Sequence, residues 1–267
     1  MKLLAVDLDN TLLKKDHSIS EYTLNSIRRM EELGHYFVID TGRPAYRTND
    51  VLRMIGHNDK NHYAICFNGG LIINGVGEKI YSIKLKDEEV KELVELGKSL
   101  NNIGTLVYLD DHIEYDYLCD AVSFLGSLAC MKKNPSGKDG LKELKEVYKV
   151  LFIGSEKDII NIKRSIPKTY FERFNIVQSG TKWIEIMPKM VDKGQGIKKL
   201  CNILGIDMND TYAVGDEEND LSMLKCVKHP CAVMNAVDSV KQIATYISSS
   251  NEEDGVAKII NELIIGD

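Results

Sequence analysis

Apolar residues recur along this chain in two forms, as short unbroken runs and at intervals of three or four, and over the opening third the two forms alternate. The run "LLAV", Leu3 to Val6, reads as a buried strand. Ser18 and Glu21 make a capping-box pattern ahead of a helix whose apolar stripe is Leu24, Ile27, Met30 and Leu33, with Gly34 as its stop. "YFVI" is a second strand, "TGRP" breaks the chain, "AYRTNDVLRMIG" returns to helical spacing, and "YAICF" is a third strand closed by "NGG". Alternation of this kind predicts βα units around a parallel sheet.

The texture changes at "GLIINGVGEKIYSIKL", where short alternating segments separated by Gly and Asn predict a hairpin. "DEEVKELVELGKSL" then predicts a helix with acid at its start, and "EKDIINIKRSI" a second one. "TLVYLD", "HIEYDYL", "KVLFIG", "NIVQSG" and "KWIEIMP" are strand candidates, so this stretch is a mixed α+β unit. After Pro188 the first texture resumes: helix "KGQGIKKLCNILG", strand "TYAVG", helix "ENDLSMLKC", strand "CAVM", helix "AVDSVKQIA", strand "TYIS" and terminal helix "DGVAKIINELI". The expected organisation is one α/β domain, residues 1–83 and 190–267, interrupted by an inserted domain at 84–189.

Composition narrows the function classes. A formal net charge of −6 with no long basic run argues against nucleic acid or an acidic membrane surface as a partner. The apolar stretch in "MKLLAVDLDN" is too short for a secretory signal, and no run has the ~18 apolar residues a membrane span needs. A cytoplasmic location is therefore expected. The six cysteines, Cys66, Cys119, Cys130, Cys201, Cys226 and Cys231, lack CxxC spacing and read as reduced thiols. The six histidines lack HExxH or paired spacing and read as ordinary surface or core residues.

Carboxylates stand where burial should disfavour them. Asp7 and Asp9 follow "LLAV" directly, and residues two apart in an extended chain point to the same side, so both could aim at one spot beyond the strand end. A pair of acids capping a turn would look the same. A calcium loop would not, because the sixth position counted from Asp7 is Leu12 rather than glycine and the twelfth is Ser18 rather than glutamate. "YAVGDEEND" places Asp216, Glu217, Glu218 and Asp220 after another apolar strand. Two strands of one sheet would then deliver carboxylates to one edge, a donor set that suits Mg2+, a hard cation content with a few carboxylates, waters and phosphate oxygens.

These residues carry a resemblance. "DLDNT", "TGR", "DKG" and "GDEENDLSML" resemble, in order, the four motifs of the haloacid dehalogenase superfamily. "FNGG" and "NAVDSVKQIATYISSSNEEDGVAKII" resemble its Cof-type branch, whose cap domain is inserted between the second and third motifs. The resemblance implies an α/β fold with a Rossmann-like doubly wound, mostly parallel sheet, plus an inserted α+β cap that sets substrate specificity. It implies a Mg2+-dependent phosphatase working through an aspartyl-phosphate. Asp7 would be the nucleophile, suited to that task because a carboxylate is ionised at neutral pH. Asp9 would be the general acid and then the base that activates water. Thr41, by hydroxyl and backbone, and Lys193, by charge, would hold the phosphoryl oxygens. Asp7, Asp216 and the Asp9 backbone carbonyl would be the metal ligands, with Asn219 and Asp220 orienting metal waters and Lys193. Gly42, Arg43, Asn68, Gly69 and Asn219 match positions that approach phosphate or substrate.

Two positions depart from the family pattern. Asn10 stands where glycine is usual, and asparagine tolerates the left-handed backbone. Met234 stands where glycine commonly precedes the asparagine. The expected partner is a small phosphorylated metabolite, a sugar phosphate or a phosphorylated cofactor, and the expected assembly a monomer or weak homodimer. The resemblance also admits a phosphomutase of the phosphomannomutase type or a noncatalytic phospholigand-binding protein. Tyr108, His112 and Trp183 are candidate cap contacts, although an aromatic in a mixed sheet is more often part of the core. A GxxxxGK[ST] loop and a GxSxG elbow are both missing.

Overall fold

The structure is a computed structural model that describes residues 1–116, 132–135 and 140–266. The chain divides into two compact units, Met1–Ser82 with Asp192–Asp267, and Ile83–Val191. Cys119, Cys130 and the last two residues of "HIEYDYL" lie outside the described residues.

The first unit begins with β1 (Leu3–Val6), α1 (Glu21–Glu32), β2 (Tyr36–Asp40), α2 (Ala45–Met54) and β3 (Tyr63–Cys66), followed by the antiparallel strands β4 (Leu71–Asn74) and β5 (Lys79–Ser82). All four positions of β1 are buried, as a strand covered on both faces requires. The helix cap differs from the expected one. Ser20, not Ser18, accepts from the Thr23 N–H, while Ser18 turns back to Asp16 with both its N–H and its hydroxyl. Ser20 stands two residues beyond Ser18, and the Asp16 turn claims the earlier serine.

The second unit carries α3 (Asp87–Ser99), β6 (Gly104–Tyr108), β7 (His112–Tyr115), β8 (Lys132–Pro135), β9 (Lys149–Ile153), α4 (Glu156–Ser165), α5 (Lys168–Arg173), β10 (Phe174–Gly180) and β11 (Trp183–Pro188). Its six-stranded sheet has the order β10-β11-β9-β6-β7-β8, antiparallel except for the final β7/β8 pair. Val107, Val150, Phe152, Ile184 and Ile186 meet Val90, Leu93 and Val94 of α3 and Ile159 and Ile162 of α4 in one buried cluster. The strand β8 and the short helix α5 were not expected.

The chain returns to the first unit with α6 (Lys193–Leu204), β12 (Thr211–Gly215), α7 (Leu221–Cys226), β13 (His229–Ala232), α8 (Asp238–Lys241), β14 (Tyr246–Ile247) and α9 (Gly255–Ile259), whose last turns widen over Ile260–Ile265. The eight-stranded sheet runs β14-β13-β12-β1-β2-β3-β4-β5, parallel from β14 to β3. From β1 the chain winds outward through β2 and β3, and on its return it winds the other way through β12, β13 and β14. The direction of winding therefore reverses between β1 and β12, and such a reversal opens a crevice at the carboxyl ends of the two strands. The register Val6↔Val214 brings Asp7 and Asp216 to that point. Cys66, Cys201, Cys226 and Cys231 are free thiols.

Candidate active site

Asp7 is the first residue past β1, and its N–H still bonds to the Val214 carbonyl at 3.0 Å. The chain then leaves the extended form and coils through Leu8–Leu12, with Asn10 at φ 60. That left-handed residue is the expected service of asparagine, and the Asn235 amide donates to its carbonyl at 2.8 Å. Met234, the other departure, is an exposed side chain away from these contacts.

Lys193 opens α6 behind its N-cap Asp192, and its ammonium is wholly buried. It donates to Asp7 Oδ1 at 2.5 Å and to Asp220 Oδ1 at 2.6 Å. The other oxygen of Asp220 accepts the N–H groups of Asp216 at 2.8 Å and Glu217 at 3.0 Å, so both of its oxygens are committed. Asp216 follows β12 and accepts from the Thr11 hydroxyl at 2.7 Å. One carboxylate oxygen from each of Asp7, Asp216 and Asp220 falls within 4.8 Å of the others.

The electrostatics follow from this crowding. Burial drives Asp7 well above the usual carboxylate range; Lys193 pulls it back and the charges of Asp220 and Asp216 push it further up. Burial likewise pushes Asp216 up to about 7, the Thr11 hydrogen bond opposing and Asp220 and Glu217 adding. Lys193 is itself raised: desolvation works against its charge, but Asp220, Asp7 and Asp40 outweigh it. Acidic oxygens packed this closely with one cation fit a divalent ion. Asp216 has one oxygen outside the contacts described, and Asp7 Oδ1, which accepts one bond from Lys193, keeps a second lone pair.

Asp9 is placed differently. Its carboxylate is half exposed and grips the Arg43 guanidinium through two hydrogen bonds, the one to Nε at 2.9 Å. The alternation that would have aimed Asp7 and Asp9 alike does not operate, because the coil at Leu8–Leu12 intervenes. Thr41 is buried one residue beyond β2. Its hydroxyl accepts from the Arg43 N–H at 3.1 Å and keeps its own proton to donate. Its backbone N–H, expected to face phosphate, instead bonds to the Ile65 carbonyl at 2.9 Å and extends the β2/β3 ladder.

The loop after β3 is strained, with Phe67 at φ 52 and Asn68 at φ 54. The Asn68 N–H bonds to the Thr41 carbonyl, and a Cβ added to Gly42 would stand 3.0 Å from Asn68 Oδ1, so Gly42 and Asn68 are neighbours. Gly69 packs inward. At φ 96, a Cβ there would lie 2.2 Å from the Asp192 carbonyl, so only glycine lets this loop approach the start of α6. Asn219 is half-buried in the turn that carries Asp220, and Glu217 and Glu218 are exposed.

Two contributors were not expected. Thr11, the last residue of "DLDNT", positions Asp216. Asp40, the last residue of β2, is fully buried with neither carboxylate oxygen hydrogen-bonded among the described residues. Burial raises it well above the usual range, Lys193 opposing and Asp220 and Asp7 adding. Its position just before "TGR" was the available signal.

Comparison with known proteins decides the family. The model of the haloacid dehalogenase-like hydrolases matches residues 4–260, nearly the whole chain. The chain belongs to the haloacid dehalogenase-like hydrolases. It is an enzyme, a phosphatase of the Cof type within that superfamily. Among its relatives, the Bacillus subtilis 5-amino-6-(5-phospho-D-ribitylamino)uracil phosphatase YitU is 33% identical over 269 residues, covering 97% of this chain and 96% of that protein. A second Bacillus subtilis phosphatase of the same name, YwtE, is 31% identical over 290 residues, covering 100% and 99%. A haloacid dehalogenase-like hydrolase from Bacteroides thetaiotaomicron superposes with a TM-score of 0.87 at 29% identity, covering 98% of this chain and 99% of that one. Among the described residues of this hydrolase, no helix is long and apolar enough to cross a membrane.

Proposed function

We propose that this enzyme is a Mg2+-dependent phosphomonoesterase that transfers the phosphoryl group of a small phosphorylated metabolite to Asp7 and then to water. The contact between Lys193 and Asp7 carries the reading. A cation that holds Asp7 Oδ1 fixes the carboxylate and leaves its second oxygen as the attacking atom.

Asp7 Oδ2 forms a bond to phosphorus as the bond to the leaving oxygen breaks. Asp9 gives the leaving alcohol its proton and later takes one from the water that cleaves the aspartyl-phosphate. The Arg43 guanidinium holds Asp9 in place beforehand and offers planar donors to the phosphoryl oxygens. The Thr41 hydroxyl and the Lys193 ammonium supply further donors to those oxygens, and such preorganised charge is the main work in phosphoryl transfer. Asp7, Asp216 and the Asp9 carbonyl would hold Mg2+, whose charge would offset that of the phosphate and favour the ionised form of the buried carboxylates. Asp220 fixes Lys193 and the backbone around Asp216, and Asn219 stands beside it. The inserted unit, Ile83–Val191, would act as the cap that selects the substrate. There Tyr108 carries the Lys149 ammonium 4.6 Å from its ring centroid, and Lys149 is ion-paired with Glu185 at 3.0 Å.

Relatives that act on a phosphorylated ribitylaminouracil favour phosphate esters of sugars, of sugar alcohols or of cofactors built from them. The test is release of inorganic phosphate from a panel of such esters, with and without Mg2+. Release that requires the metal supports the reading. Isomerisation without release, or no turnover of any ester, overturns it.

A further inference from the structure

A second set of ligating side chains lies at the opposite edge of the core sheet. Glu31 stands in the last turn of α1, His57 in the loop that follows α2, and His62 immediately before β3. Both helices run back to the amino ends of the strands, so the three groups meet at the end of β2 and β3 remote from Asp7 and Asp216. One ligand atom from each of the three falls within 4.8 Å of the others. Glu31 Oε1 is 2.7 Å from His57 Nε2 and 3.7 Å from His62 Nε2.

His57 is the telling member. Its side chain is 1% exposed, with Phe37 edge-on and the His62 ring stacked at 4.0 Å. Neither ring nitrogen makes a hydrogen bond among the described residues. Glu31 Oε1 is close to Nε2 without forming a hydrogen bond to it, so Nε2 has no directed partner among the described residues. A buried polar group in that condition calls for an explanation, and a ligand is one.

We propose that Glu31, His57 and His62 bind a divalent transition-metal ion of the zinc class. Two imidazoles and one carboxylate are the donors such ions prefer, whereas Mg2+ and Ca2+ take oxygen sets. Bonds of about 2.0–2.2 Å in a tetrahedral site put ligand atoms roughly 3.3–3.6 Å apart, between the 2.7 and 3.7 Å separations found to Glu31. His62 Nδ1 lies 3.1 Å from Asp59 Oδ1 but, like the His57 nitrogens, makes no hydrogen bond among the described residues. Glu31 and His62 keep 20% and 23% of their side chains exposed, which gives the ion a way in and lets the His62 ring turn out of the stack toward it. The ion would join α1, the end of α2 and the start of β3. Because its ligands come from three separate elements, sequence spacing does not announce it.

The test is a zinc titration of the full chain against a chromophoric chelator at pH 7.5. It is done in the parent and in an Asp216→Asn background, which weakens competition from the acidic cluster. One zinc equivalent is expected in both, and Glu31→Gln or His62→Ala should weaken that equivalent at least tenfold. In the Asp216→Asn background zinc should raise the melting temperature, and adding Glu31→Gln or His62→Ala should abolish that rise. Both replaced residues are partly exposed, and a metal-free melt verifies that each variant is folded; replacing His57 would not offer that control. Zinc bound as tightly by both variants as by the parent, or no zinc bound by the parent, overturns the proposal.

Discussion

The Lys193 ammonium donates to Asp7 at 2.5 Å, joining residues 186 positions apart, and neither charge is open to bulk water to any great extent. The Lys193 charge opposes the protonation that burial favours at Asp7, as the proposed nucleophile requires. Asp7→Asn keeps the shape of the side chain and removes the attacking oxygen. Turnover should fall by about 10³-fold or more while the thermal transition is preserved. Phosphate release near the parent rate by a folded variant would rule out Asp7 as nucleophile.

Removing the cation has a different signature. Lys193→Met leaves Asp7 and Asp220 as buried acids without a counter-charge, and breaking such a pair costs about 3–5 kcal/mol. Urea unfolding should show that loss together with loss of activity. A Lys193→Met enzyme as stable as the parent would show that the carboxylates are already neutral.

At the exposed end of the site stability and activity should separate. Asp9→Asn disturbs a half-exposed contact with Arg43, and surface pairs of this sort are worth about 0–1 kcal/mol. The melting temperature should barely move, whereas kcat should drop by about 10²–10⁴-fold if Asp9 shuttles the proton. Unchanged kcat would exclude Asp9 from proton transfer.

Stability in a chelator should depend on pH through Asp216. Its folded pKa of about 7 lies above the ordinary 3.8, so between these values the folded chain binds more protons than the unfolded one. The raised pKa therefore adds stability that is complete below about pH 4 and is lost as pH rises through 7. With EDTA at pH 8, Asp216→Asn should be more stable than the parent, by an amount on the order of a few kcal/mol. Added Mg2+ should reverse that order, since a ligand bound only by the folded state stabilises it. Denaturant curves at pH 4 and pH 8, with and without Mg2+, measure both effects.

Gly69→Ala should damage the site from behind. The added methyl meets the Asp192 carbonyl at 2.2 Å in a backbone region that alanine avoids, so the start of α6 must move or the loop must refold. A loss of about 2 kcal/mol or more is expected, with activity falling further than stability because Lys193 opens that helix. Calorimetry and kcat/KM together check it.

Much of the core was legible because apolar runs ending in acid mark both the strands and the edge where a parallel sheet binds ligands. "LLAVD" and "TYAVGD" became β1 and β12 with their acids adjacent. Other features depended on tertiary context. Ser18 and Ser20 compete for one cap, and only the Asp16 turn decides between them. The strand β8 ends in Pro135 and pairs at a sheet edge, where proline is tolerated and the apolar signal is weak. Asp40 looks like the end of any strand until its neighbours Lys193 and Asp220, which come from the far end of the chain, are in place. Thr41 matched its motif, yet the direction of its N–H was set by pairing with β3.

The placement of β1 between β2 and β12 also governs how the molecule is made. During translation the first strand can pair on one side early, but its other edge must wait for Thr211–Gly215 to leave the ribosome, roughly 10–40 s later at ordinary elongation rates. For that interval four apolar residues form an open sheet edge that invites intermolecular pairing. A truncation that stops short of Thr211 should therefore aggregate rather than persist as an inactive half-enzyme.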